Sequence, residues 1–197
     1  MSLLAIGRLG VSIGTTEVLR DVSLRLQAGE ILGLVGESGS GKSMTALAVM
    51  GLLPDGAQAT GSVRLAGREI TTLAERELCR LRGAGVGMIF QEPMTALNPL
   101  MTIGDQVAET LIVHRGLARS EARRIARDRL DRVGLPAPRF PLTLFPHELS
   151  GGQRQRVAIA LAIALRPQML IADEPTTALD VTTQAEVLAL LRDLVRA

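Results

Sequence analysis

Tryptophan and tyrosine are absent from this 197-residue chain, and only three phenylalanines occur. That scarcity argues against recognition of nucleic acid by stacking bases on aromatic rings. Cysteine is nearly absent as well. Cys79 stands alone, so no disulfide can form within the chain, and a reducing compartment is expected. Long apolar runs are missing: the longest, Val157 to Leu165, is too short to cross a bilayer. The first eight residues carry no basic segment ahead of their apolar stretch, which makes a poor secretion signal. Any membrane role is therefore expected to come through a partner. Charge of one sign is also lacking: 22 basic residues against 20 acidic leave a net charge of +2. That balance makes no electrostatic case for a polyanionic partner. Finally, lysine is almost missing. Every basic residue but Lys42 is an arginine.

Lys42 sits in the stretch around which the chain is organised. Gly36, Glu37, Ser38, Gly39, Ser40, Gly41, Lys42 and Ser43 fit the pattern G-x-x-x-x-G-K-[ST] of a phosphate-binding loop. Glycines let the backbone curl with its N–H groups inward, and the start of a following helix adds partial positive charge. Lys42 can reach terminal phosphates as a compact ammonium, a task the broad guanidinium fork performs badly. The Ser43 hydroxyl can ligate Mg²⁺. The apolar run Ile31 to Val35 predicts a buried strand leading into the loop, and Met44 to Met50 predicts a helix after it. The plain alternative is a glycine-rich turn before a helix.

Residues 3–35 read as β-rich, with Val22, Leu24 and Leu26 alternating with polar neighbours as in a half-buried strand. Gly51 to Gly61 reads as a connector and Ser62 to Gly67 as a short strand. Leu73 to Arg82 reads as a polar-faced helix, and Val86 to Phe90 as a buried strand ending at Gln91. From Glu92 to Leu149 prolines punctuate the chain and the regular parts read as helices, Ile103 to His114 and Arg119 to Val133. The second carries Ala122, Ile125, Ala126, Leu130 and Val133 on one side. Its arginines, interleaved with acids, read as a solvated face. A helix from about Gln153 to Leu165, a strand Met169 to Ala172 and a helix Thr182 to Val195 close the chain. The pattern predicts an α/β fold: a P-loop core with an antiparallel β subdomain and an inserted α-helical subdomain. In domain terms, 1–91 and 150–197 form the nucleotide-binding core and 92–149 the inserted helical part.

Two further elements carry chemistry. Asp173 and Glu174 follow an apolar strand, and ligand sites of parallel sheets lie at that edge. An acid there can hold Mg²⁺, and a neighbouring carboxylate can orient or deprotonate water. Alone, two adjacent acids are a solvated strand end. Ser150, Gly151, Gly152 and Gln153 offer backbone N–H groups and a hydroxyl at a helix start, an anion-binding arrangement that, taken alone, reads first as an ordinary N-cap.

Taken in order, Gly36–Ser43, Gln91, Leu149–Gln153, the strand ending in Asp173 and Glu174, and Ala178-Leu179-Asp180 resemble the conserved motifs of ATP-binding cassette ATPases. The stretches Phe90 to Pro99, Phe145 to Leu149 and Ile171 to Asp180 resemble the ATPase subunits of bacterial dipeptide, oligopeptide and nickel importers. The resemblance implies an ATPase with ATP and Mg²⁺ as its ligands. It implies a head-to-tail pair, homo- or heterodimeric, in which each site joins one subunit's loop to the other's Ser150, Gly151 and Gln153. Glu174 would polarise the attacking water, Gln91 would touch that water or Mg²⁺ as a second catalytic residue, and Ser43 and Asp173 would serve the metal with it. Residues around Glu92–Gln106 would touch a transmembrane permease, itself fed by a solute-binding protein, at the cytoplasmic face of the bacterial inner membrane. No nucleic-acid partner is implied.

The chain departs from the family pattern twice. The adenine-stacking aromatic is replaced by Ile13, which offers apolar contact without a ring face. A switch histidine expected beyond a further strand has no counterpart: the only histidines are His114 and His147. A local structural role is expected for His147. The chain therefore reads as a C-terminally truncated cassette, expected to bind ATP better than it hydrolyses it. The alternatives are a fragment that binds ATP without efficient hydrolysis, and a soluble cassette acting on nucleic acid or ribosomes.

Overall fold

A hairpin starts the fold. Strands β1 (Leu4–Ile13) and β2 (Thr16–Leu26) pair antiparallel from Ile13↔Thr16 back to Leu4↔Leu26, turning at Gly14 and Thr15. The computed structural model describes residues 2–91, 96–177 and 179–196. It contains two compact units, residues 1–79 with 195–197, and residues 80–194.

The first unit is an antiparallel sheet with a helix. Its order is β2-β1-β3-β4, with β3 at Ala57–Leu65 and β4 at Arg68–Glu69. β1 is central because Leu4, Ile6, Leu9 and Val11 point into the core on one face. Helix α1 (Lys42–Met50) buries Ala46, Ala48, Val49 and Met50. Helix α2 (Glu75–Leu81) buries Leu78. The polar hub is Glu69. It accepts from Ser62 Oγ, from Val63 N at 2.9 Å, from Thr71 Oγ1 at 2.7 Å and from Arg64 Nε at 3.3 Å. Burial alone would raise its pKa, but these donors outweigh it and bring the carboxyl down to about 2.

Two expectations fail in this unit. The connector expected up to Gly61 is a strand from Ala57, recruited by pairing Ile13↔Ala57 through Gly10↔Thr60. More consequentially, Ile31 to Val35 is neither strand nor buried. Ile31 is 60% exposed and Val35 99%. An interior strand of a parallel sheet needs neighbours on its edges. Among the described residues, neither the four-stranded nor the two-stranded sheet supplies one. The apolar run reports hydrophobicity correctly but not the presence of a partner.

The second unit holds the parallel pair β5 (Val86–Ile89) and β6 (Met169–Ala172), in register from Val86↔Met169 to Ile89↔Ala172. Between them lie α3 (Ile103–Arg115), α4 (Arg119–Arg132), a 3₁₀ turn at Pro146–Glu148, and α5 (Gly151–Ala162); α6 (Val181–Arg196) follows β6. Thr102 caps α3 by accepting from Asp105 N at 3.2 Å. Val107 and Leu111 of α3, Ala122, Ala126 and Leu130 of α4, and Val157, Ile159 and Ala160 of α5 form one core. Gly87 lets α5 approach the sheet. A Cβ there would lie 2.3 Å from the Ala162 carbonyl oxygen.

The apolar side of α4 differs from its expected composition by one residue. Arg129 is buried among Ala122, Ala126 and Leu130, while Ile125 is only half-buried. Its Nε donates to Ala164 O at 3.4 Å, and Arg115 Nη2 donates to Leu165 O at 2.6 Å. The two guanidiniums thus serve carbonyls left free after α5. Burial first, then the neighbouring Arg166, hold the Arg129 pKa below its ordinary value.

Candidate functional site: a phosphate loop and an acidic corner

The loop Gly36–Ser43 lies in the first unit. Gly41 is the N-cap of α1 with φ +89°, and a Cβ there would stand 2.3 Å from Leu19 Cδ2. Only glycine tolerates both the left-handed backbone and that approach. β2 therefore backs the loop through Leu19. Lys42 folds over the loop: its Nζ donates to Gly36 O and to Glu37 O, each at 2.8 Å. Ser40 N donates to Glu37 O at 3.2 Å, and Thr45 Oγ1 to Gly41 O at 2.9 Å. Among the described residues, the N–H groups of Gly39, Gly41, Lys42 and Ser43 have no acceptor. Ser43 is exposed, and the first turn of α1 carries no acid. The result is a set of free donors at a helix N-terminus with an ammonium on the same loop, an arrangement suited to an anion.

The acidic corner lies in the second unit and follows from strand register. Ile89 pairs with Ala172, so two residues further on Gln91 stands beside Glu174. Gln91 Nε2 donates to Glu174 Oε2 at 2.8 Å across a sequence separation of 83. Thr177 Oγ1 donates to the same oxygen at 3.0 Å. Glu174 itself has φ +46°, a left-handed backbone that a non-glycine residue adopts only where its surroundings hold it. Asp173 is half-buried, and its N–H donates to Ile89 O at 3.0 Å, extending the ladder one residue.

Ser150 is the N-cap of α5. Its hydroxyl accepts from Gln153 N at 3.3 Å, and Gln153 Oε1 accepts from Ser150 N at 2.9 Å, a reciprocal capping box. Gly151 and Gly152 open the helix, with Gly152 facing the Thr183 methyl of α6. The N-cap reading of Ser150 therefore holds in this state, and the anion-binding reading is compatible with it because the first-turn N–H groups remain.

Other expected positions are placed as follows. Ile13 ends β1, half-buried, paired with Thr16 and Ala57. His147 stacks on Phe145 with ring centroids 5.6 Å apart, a local packing role. Gln106, within the segment read as a permease contact, is buried and bonds the 98–101 turn through Asn98 N, Asn98 O and Met101 O. Glu92 to Thr95 of that segment lie outside the described residues, as does Ala178. Asp180 caps α6 by accepting from Thr183 N at 3.0 Å and Thr183 Oγ1 at 2.7 Å, and these bonds lower its pKa. The contact between Thr177 and Glu174 carries no sequence signal beyond their spacing of three residues. Gln184, which donates to Thr176 O and Leu179 O, is equally silent in the sequence.

The sequence profile of the ABC transporter family matches residues 19–177, most of the chain. The chain belongs to the ABC transporter family. Among the relatives of this cassette, the oligopeptide transport ATP-binding protein OppD of Salmonella typhimurium is 52% identical over 183 residues. That alignment covers 93% of the chain and 55% of OppD. OppD of Escherichia coli is 51% identical, with 93% and 54% covered. The chain thus spans about half the length of these relatives. Among proteins of known structure, the cassette resembles the dimeric ATP-binding cassette MJ0796 in a post-hydrolysis state bound to ADP and Pi. The TM-score is 0.83 at 33% identity, covering 98% of this chain and 82% of that one. The ABC ATPase fold, expected from the motifs, is therefore the fold of this chain.

Proposed function

We propose that the cassette binds ATP at Gly36–Ser43 and hydrolyses it to energise import of oligopeptides through a membrane permease. The observation that carries this reading is the loop itself: free N–H donors at the start of α1, with the chain's only lysine folded over them. The oligopeptide assignment draws on the OppD relatives. Nickel has no such support.

The roles divide by residue. Gly39, Gly41, Lys42 and Ser43 hold phosphate oxygens through backbone N–H groups and the ammonium. The other loop residues, Gly36, Glu37, Ser38 and Ser40, shape the turn, and Ile13 gives an apolar cover for adenine. Ser43 hydroxyl, Gln91 amide oxygen and an Asp173 carboxylate oxygen are hard donors, the kind that would hold Mg²⁺. Bound there, Mg²⁺ would neutralise phosphate charge. Glu174 accepts the proton of a water whose oxygen attacks the terminal phosphorus, while the bond to ADP breaks and its electron pair leaves on ADP.

Two cassettes pair head to tail, so that Ser150, Gly151, Gly152 and Gln153 of one complete the loop site of the other. The dimeric state of MJ0796 supports pairing itself. Residues 1–91 and 150–197 form the nucleotide core, and 92–149 carries the permease contact. No helix among the described residues is long and apolar enough to cross a membrane. Association with the cytoplasmic face of the inner membrane would run through the permease.

The test is phosphate release from ATP by the native chain and by Glu174→Gln. The expected loss is at least about 100-fold, with ATP affinity held within about threefold. Equal turnover by the two proteins would overturn the assignment of Glu174.

A further inference from the structure

We propose that Thr177 is a positioning residue for Glu174, and that Gln184 on α6 braces the turn that presents it. The inference rests on the ATPase reading and adds to it a device for aiming the candidate base.

Glu174 Oε2 accepts from two donors, Gln91 Nε2 at 2.8 Å and Thr177 Oγ1 at 3.0 Å. Among the described residues Oε1 accepts from none. One oxygen is therefore fixed and the other is left for a water. An exposed glutamate otherwise samples several rotamers. Two donors converging on one oxygen from opposite sides in sequence, one 83 residues before and one three residues after, remove most of that freedom.

The turn is itself held. Thr177 N donates to Glu174 O at 3.1 Å, and Leu179 N donates to Thr176 O at 3.2 Å. Gln184 Nε2 donates to Thr176 O at 3.2 Å and to Leu179 O at 3.0 Å. Gln184 stands in the first turns of α6, where Asp180 and Thr183 fix the helix start. The chain of contacts runs from a helix to a turn, from the turn to Thr177, and from Thr177 to the carboxylate. It also accounts for the left-handed backbone at Glu174, which persists only where neighbours over-determine it.

A structural role for Thr177 confined to its turn predicts something different. The backbone bonds of the turn do not use the hydroxyl, so losing it would leave Glu174 unmoved. The variants Thr177→Val and Thr177→Ser separate the two, with Gln184→Leu as a test of the brace. Expected are a roughly tenfold lower kcat for Thr177→Val with the KM for ATP within about twofold, and near-native kinetics for Thr177→Ser. Gln184→Leu should fall between them.

A second readout does not depend on turnover. The side-chain ¹³Cδ resonance of Glu174, assigned through Glu174→Gln, should move in Thr177→Val and stay in place in Thr177→Ser. An unmoved resonance in Thr177→Val overturns the inference whatever the kinetics. So does equal loss in the valine and serine variants, or a loss confined to KM. A resonance that moves as expected in a chain that binds ATP but releases no phosphate upholds the contact and counts instead against the ATPase reading.

Discussion

Gly36–Ser43 is assembled from eight neighbouring residues, whereas Gln91 and Glu174 meet from 83 residues apart. The loop needs β2 behind it and α1 after it, and its internal bonds span at most six residues. The corner needs the register of β5 on β6, and that register needs α5 packed against Gly87. A binding element made locally can survive damage that a long-range element cannot. Nucleotide binding and hydrolysis are thus expected to fail separately in this cassette.

The largest separation should come from Gly41→Ala. The left-handed backbone costs about 1–2 kcal/mol for a residue with a Cβ, and that Cβ meets Leu19. ATP affinity should drop about 100-fold, while Glu174 keeps its ¹³Cδ position. Native affinity would show that the loop reshapes freely. Gly87→Ala is the converse. Its Cβ would press on the Ala162 carbonyl, and overpacking of this kind costs about 1–3 kcal/mol. Hydrolysis should fall about tenfold with ATP affinity nearly unchanged, and calorimetry should show Tm lowered by several degrees. Loss of binding in step with hydrolysis would join the two elements that the comparison separates.

A third effect belongs to neither. Glu69 has a pKa of about 2, below its ordinary 4.5. Its contribution to stability is therefore complete above about pH 4.5 and is lost as pH falls toward 2. Glu69→Gln should remove on the order of 2 kcal/mol at pH 7, and progressively less in acid. Denaturant unfolding at pH 7 and pH 3 checks this. A pH-independent difference would assign the effect to packing rather than to the carboxylate.

The same contrast of near and far governs how much the sequence disclosed. The loop was legible because its chemistry is contiguous: spacing, glycines and one lysine suffice. Helices at Ile103–Arg115 and Arg119–Arg132 were legible from the residue pattern. The corner was legible only as a set of candidates, since nothing local says that Gln91 touches Glu174. Thr177 and Gln184 were invisible as functional residues, because their roles depend on where a turn points a hydroxyl and an amide. Ile31 to Val35 misled for the same reason. Its apolarity is local, but strand pairing is not, and the described sheets leave it exposed. Arg129 was assigned to solvent by its charge, yet it is buried with its guanidinium on the carbonyl of Ala164.

The central claim is that the loop binds ATP and the corner spends it. Titration calorimetry of ATP with Mg²⁺ into the native chain, Lys42→Ala and Glu174→Gln tests this most directly. The account predicts that native and Glu174→Gln bind within about threefold of each other, and that Lys42→Ala binds about 100-fold more weakly, since the ammonium that would pair with phosphate is lost. Equal affinity of Lys42→Ala and the native chain, or an equal collapse in Glu174→Gln, would contradict it.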